Sequence, residues 1–141
     1  MRRGMIYILT MILSLLLVSS GYSQDIVVNK DLPVDSITIE ELRSIYFGKK
    51  MFWKTPYGDV RIHAIFNREE VRNKIFELMN TSEIDYKKNW IRLTLSGKTN
   101  PPLGVKNDDE VFKSVAQQKG GIGFVSRWQN TEGVKIIRLV E

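Results

Sequence analysis

A chain of 141 residues without a single cysteine has no disulfide framework and no thiolate metal or redox chemistry, so packing alone must stabilise it. Its formal charge of +5 is modest, and its Lys and Arg are interspersed with Asp and Glu rather than clustered, which argues against a nucleic-acid surface. The length beyond the N-terminal segment fits one domain of the usual ~100–150 residues.

That N-terminal segment reads as a secretory signal peptide. Arg2 and Arg3 make a positive start, 6–18 is an apolar run broken only by Tyr7, Thr10 and Ser14, and Ser19, Ser20 and Gly21 follow as small residues. The run is shorter than the ~20 apolar residues of a spanning helix. Gly21 and Ser23 suit the two small-residue positions ahead of a cleavage point, so cleavage is expected between Ser23 and Gln24. The alternative is an uncleaved N-terminal anchor; a lipoprotein anchor is excluded by the missing cysteine. The expected division is therefore 1–23 as signal and 24–141 as a periplasmic or secreted domain. Two of the 21 Lys and Arg and none of the 16 Asp and Glu lie in the signal, which leaves 19 against 16, or +3, on the exported part.

Downstream, strand-like and helix-like stretches alternate. Residues 25–29 (Asp-Ile-Val-Val-Asn) form a short β-branched strand. A helix is predicted over 39–47, with Thr38 as its cap, Glu41 three residues on, an Ile37–Leu42 staple, and Gly48 as its stop. Val60, Ile62, Ala64 and Phe66 alternate along a strand over 60–66. A second helix is expected over 68–80, capped by Asn67 with Glu70 three residues on, and striped by Val71, Ile75, Leu78 and Met79. A third runs over 83–95 with Tyr86, Trp90 and Leu93 on one side and ends at Gly97. Pro101 and Pro102 mark an extended loop. A fourth helix, over 108–118, has Asn107 and Glu110 as its capping pair. Gly120 to Val125 turns into a strand, and 134–140 is the last one. Four strands separated by helices imply βαβ units, hence an α/β fold with a small, mostly parallel sheet flanked by helices.

Few residues point to chemistry. Ser96-Gly97-Lys98-Thr99 has the tail of a phosphate-binding loop. However, Arg92 stands where the pattern needs its first glycine, and the stretch follows a helix instead of opening one. It reads as a helix stop. His63 is the only histidine, with no second His and no Cys to build a metal site or triad around it. Glu41, Glu70 and Glu110 fit capping boxes, and Asp108 and Asp109 fit a helix's first turn, where negative charge is favourable. No convergent pair of carboxylates for acid–base catalysis is visible. Trp53, Trp90 and Trp128 are dispersed, as core or cleft-edge residues would be. No cofactor or metal is expected, and no enzyme activity.

Three stretches carry a family resemblance. Residues 32–53 (LPVDSITIEELRSIYFGKKMFW), with Tyr46-Phe47-Gly48-Lys49 and Trp53, resemble a stretch of the phosphate-binding proteins of ABC transporters that precedes their ligand loop. Trp90 to Gly97 followed by Pro101-Pro102 is similar to a stretch of a short, single-lobed branch of that family. Residues 108–125 (DDEVFKSVAQQKGGIGFV), with Gly121-Ile122-Gly123-Phe124, resemble its closing stretch. The resemblance implies one lobe of the type II periplasmic-binding-protein fold and solute binding without catalysis, classically of phosphate. The ligand loop of the family has an Arg followed by Ser-Gly-Thr at a helix start. Here the corresponding stretch is Phe66-Asn67-Arg68-Glu69-Glu70-Val71-Arg72, without the Ser-Gly-Thr. The implied ligand-binding residues are Asn67, Arg68 and Arg72, with an alternative capping role for Asn67 and a plain surface role for Arg72. Gly121 and Gly123 are read as packing glycines. The expected ligand is a small oxyanion, and the expected protein partners are an ABC permease, another envelope protein or a second copy of the chain. The alternative function is a binding-protein lobe reused as a non-catalytic interaction or signalling module of the envelope.

Overall fold

Side chains along a strand alternate between two faces, and in this protein both faces are buried. The computed structural model describes residues 25–140; the expected signal peptide lies outside the described residues. The elements run β1 (Asp25–Asn29), β2 (Ser36–Thr38), α1 (Ile39–Tyr46), β3 (Phe52–Thr55), β4 (Gly58–Arg61), β5 (His63–Asn67), α2 (Arg72–Leu78), α3 (Glu83–Leu95), β6 (Leu103–Val105), α4 (Asp108–Gln117), β7 (Gly121–Val125) and β8 (Val134–Val140). Ile26 and Val28 of β1 join Ile122 and Phe124 of β7 in one apolar cluster, under Leu42, Ile45 and Tyr46 of α1 and Ile75 of α2. Val27, Ile65 and Val125 join the cluster on the other face, beneath Val111, Phe112 and Val115 of α4. The result is three layers with the sheet in the middle.

Six strands form that sheet in the order β2-β8-β1-β7-β5-β6. The β2–β8, β5–β6 and β5–β7 ladders are parallel, and only β1 runs against its neighbours β7 and β8. The expected α/β class and mostly parallel sheet hold. The expected four strands do not: eight are formed among the described residues. β2 and β6 have three residues each, too short to show a period. The predicted strand over 60–66 is two strands. β4 pairs with β3 in a separate hairpin while β5 pairs with β7, and the chain passes between sheets at Ile62, whose N–H donates to the Met51 carbonyl at 2.9 Å.

Local signals placed most helix ends. Thr38 Oγ1 accepts from the Glu41 N–H at 3.1 Å, Ser82 Oγ accepts from that of Asp85 at 3.1 Å, and Asn107 Oδ1 from that of Glu110 at 2.9 Å. Gly48 and Gly97 stop α1 and α3 with φ of +76° and +71°, a conformation a Cβ disfavours. The glycines of β7 serve packing, as read from the sequence. A Cβ on Gly123 would sit 2.5 Å from Val111 Cγ1, and one on Gly121 would sit 2.9 Å from the Val115 backbone, so α4 can lie this close only over bare backbone. Trp53 and Trp90 are core residues whose indole N–H groups donate to the carbonyls of Gly120 (3.1 Å) and Tyr46 (3.0 Å). Trp128, half-buried, sets its ring edge-on to Phe112.

Candidate functional site

Parallel strands deliver their C-terminal ends to one edge of a sheet, where α/β folds hold ligands. Here β5 ends at Asn67, β6 at Val105 and β7 at Val125, and α4 begins beside them at Asp108. The Arg68 N–H donates to the Val105 carbonyl at 3.0 Å, which carries the β5–β6 ladder one residue further. The chain then turns. Asn67 Oδ1 accepts the N–H groups of Glu69 (3.1 Å) and Glu70 (3.2 Å), and the Asn67 carbonyl accepts that of Val71 (3.2 Å).

The second helix consequently starts at Arg72 rather than at 68, and Val71 at its boundary makes no side-chain cap. Burial of Val71 in the core decides this: four residues are spent bringing the chain off the strand and over the sheet. Glu70 still receives the predicted cap from Asn67, but within a turn. The helix also ends early, at Leu78, and Phe76 joins its buried face.

The three expected ligand residues are sent in different directions. Asn67 is fully buried, and its amide N–H donates to Asp108 Oδ1 at 2.8 Å. Its capping role is the one observed, together with a tether that the sequence did not reveal. Arg72 donates its guanidinium N–H to Glu83 Oε1 at the start of α3, and Glu83 also receives Lys87 Nζ at 3.0 Å. Arg68 remains exposed at the strand end.

The residue that organises this edge is Asp108, which the sequence assigned only to helix-dipole compensation. Its carboxylate accepts from Asn67 Nδ2, from the Ser126 N–H at 3.0 Å, from Ser126 Oγ at 2.5 Å and from the Arg127 N–H at 3.2 Å. Burial alone would raise its pKa. The hydrogen bonds from Ser126, Asn67 and Arg127 outweigh that and hold it below the ordinary 3.8. Asp108 is therefore an anion built into the site, fixed to the ends of β5 and β7. The position of Ser126-Arg127 directly after the β7 strand was the available sequence signal, since a strand end next to a helix start is where donors gather.

Beside Asp108 lies an open cleft of about 540 Å3, lined by Glu70, Asp108 and Asp109 against Lys74 and Arg127. Among the described residues no cluster of His, Cys, Asp and Glu could hold a metal ion. Likewise no helix among them is long and apolar enough to cross a membrane.

No family model matches the sequence, and no curated protein sequence matches it. Solved structures do. An ABC-type phosphate transport receptor from Vibrio cholerae superimposes with a TM-score of 0.59 at 24% identity, over 84% of this chain and 47% of its own. A Clostridium perfringens protein solved with bound phosphate gives 0.59 at 18%, over 84% of this chain and 46% of its own. PstS from Borrelia burgdorferi gives 0.55 at 14%, over 83% and 47%. The chain has the fold of these phosphate ABC transporter substrate-binding proteins and spans about half the length of each.

Proposed function

We propose that this chain is a non-catalytic, exported binding protein, a one-lobe counterpart of transporter substrate-binding proteins, with residues 24–141 as the working domain. Its ligand is a small oxyanion, with phosphate the first to test. One observation carries the reading: the exposed Arg68 directly follows the C-terminal end of β5, a strand parallel to both its neighbours, at the edge where this architecture places ligands. Arg68 supplies the charge. Arg72 contributes once its contact with Glu83 is exchanged for the anion, while Asn67 shapes the turn behind them. Titration calorimetry of residues 24–141 with phosphate and sulfate tests this. Saturable heat that disappears in Arg68→Ala is the expected result. The absence of heat at millimolar phosphate would remove the oxyanion ligand.

A second reading has its own support. Asp108 already occupies the converging donors, and the adjacent cleft carries three carboxylates against two cations, which repels an anion. In addition α3 exposes Ile84, Ile91 and Leu95 at 66%, 61% and 83%. The lobe then serves as an interaction module, meeting a permease or other envelope protein through a surface rather than a solute. Light scattering on the purified domain and capture from envelope extract address it. A monomer that captures nothing and binds phosphate through Arg68 would sink this reading.

A further inference from the structure

The opposite end of the same parallel strands carries a second concavity. A cleft of about 250 Å3 opens where β5 begins, between the end of the β3–β4 hairpin, the segment 99–103 and the last turn of α4. Its lining falls into two chemical groups. Ile62, Ala64, Trp90 and Pro102 are apolar, whereas Arg61, His63, Lys50, Asn100 and Gln117 are cations or hydrogen-bond donors. None of its lining residues among those described is Asp or Glu, in contrast to the acid-rich cleft beside Asp108.

The charges here are unequally committed. Lys50 is paired with Glu41 and lies 5.2 Å from the centre of the Trp53 ring. Arg61 is exposed, rests 5.8 Å from the centre of the Phe52 ring, and makes no ion pair with any described residue. The C-terminal end of a helix is ordinarily hostile to anions. At α4 that end is occupied by Asn29, whose buried amide N–H groups lie 3.1, 3.2 and 2.9 Å from the carbonyls of Val115, Ala116 and Gln118. The Gly120 carbonyl is taken as well, by Trp53 Nε1 and the His63 N–H. These carbonyls at the end of α4 and at Gly120 are thus satisfied, and Arg61 lines the cleft without an ion pair to any described residue.

We propose that this cleft binds a small organic anion: an oxyanion head held by Arg61 with Asn100 and Gln117, and an apolar body against Ile62, Trp90 and Pro102. The site is separate from the Arg68 edge and does not depend on what binds there. Small-molecule sites pair apolar walls with a few convergent polar groups; this cleft offers both, with polar surface the larger share, as a charged head requires.

Amide and side-chain NMR of residues 24–141 tests it, with benzoate and phenyl phosphate as probes, inorganic phosphate as the charge-only control and benzyl alcohol as the apolar-only control. Both probes are expected to shift the Asn100 and Gln117 side-chain amides and the Trp90 indole N–H saturably, and more tightly than either control. Arg61→Glu should weaken them by about tenfold or more, the scale of one charged hydrogen bond, while Arg68→Ala leaves them unchanged. Should Arg61→Glu lose its amide dispersion, Arg61→Gln replaces it, with the same direction expected. The proposal is overturned by no saturable shift up to about 10 mM, by shifts that persist in the Arg61 variant, by shifts centred on Arg68 and Ser126, or by inorganic phosphate binding as tightly as phenyl phosphate. The two sites fail independently, since each has its own arginine.

Discussion

Asp108 binds four donors with two oxygens, and each donor comes from a segment that must stay in place: the end of β5 through Asn67, the end of β7 through Ser126 and Arg127. Removing the carboxylate leaves the buried Asn67 amide without its partner, so Asp108→Ala should cost about 1–2 kcal/mol, a value kept low because solvent screens part of the group. The pH dependence has a definite sign. A carboxyl whose pKa falls on folding contributes stability that is complete above its ordinary value of 3.8 and is lost as pH drops through the lower folded value. Urea unfolding should therefore separate wild type from Asp108→Ala at about pH 6, and the gap should narrow as pH falls below 3.8 and through the lower folded value. Gly123 makes the opposite kind of test, of space rather than charge. An added methyl would press on Val111 and Val115, whose branched side chains have little rotamer freedom. Gly123→Ala should lower stability by about 1–3 kcal/mol by overpacking, measured as a shift in urea midpoint with an unchanged slope.

Among the elements, α4 is held at both ends by side chains, whereas α2 starts without a side-chain cap and closes on backbone bonds alone, the Asn80 N–H to the Glu77 carbonyl and the Thr81 N–H to that of Phe76. Asn107 caps the start of α4 while Glu110 Oε2 accepts the Lys106 N–H at 2.9 Å, and Asn29 holds the last carbonyls from β1, more than 80 residues away in sequence. The Asn29 Oδ1 also accepts the Asp31 N–H at 3.0 Å, so this buried amide is satisfied on both sides. Asn29→Ala should destabilise the fold by about 1–3 kcal/mol and release hydrogen-exchange protection in the last turn of α4 and the first residues of β7 before the rest. The caps of α1 and α4 were legible because capping acts within three residues. Asn29 carried no local signal, since its partners come from the other end of the chain. The late start of α2 was illegible for a similar reason: Asn67 and Glu70 form the contact the sequence advertised, and only the depth of Val71 in the core turns that contact into a loop.

At the scale of the whole molecule, one sheet serves two apolar clusters, and β1, β5 and β7 send alternate residues into each. Neither cluster can lose its strands without exposing the other, so unfolding should be a single cooperative transition. Trp53 belongs to the cluster under α1, and Trp128 packs on the cluster under α4. Variants that keep only one of these two indoles and carry Phe at the other tryptophans should unfold with coincident fluorescence midpoints, matching far-UV circular dichroism. Separated midpoints would show that the two layers open independently.

The sequence by itself determined the alternation of strands and helices, the capped start and glycine stop of α1, and the α/β class. Each of these rests on periodicity or on contacts a few residues apart, which a linear reading captures. Tertiary structure alone decided that β1 runs against its neighbours, that 60–66 divides between two sheets, that Asn67 and Arg72 turn to Asp108 and Glu83, and that an acid-free cleft with Arg61 forms at the far end of the strands. Those outcomes depend on pairings 11 to 41 residues apart and longer, whose direction is set by how the core closes around Val71 and the bare backbone of β7.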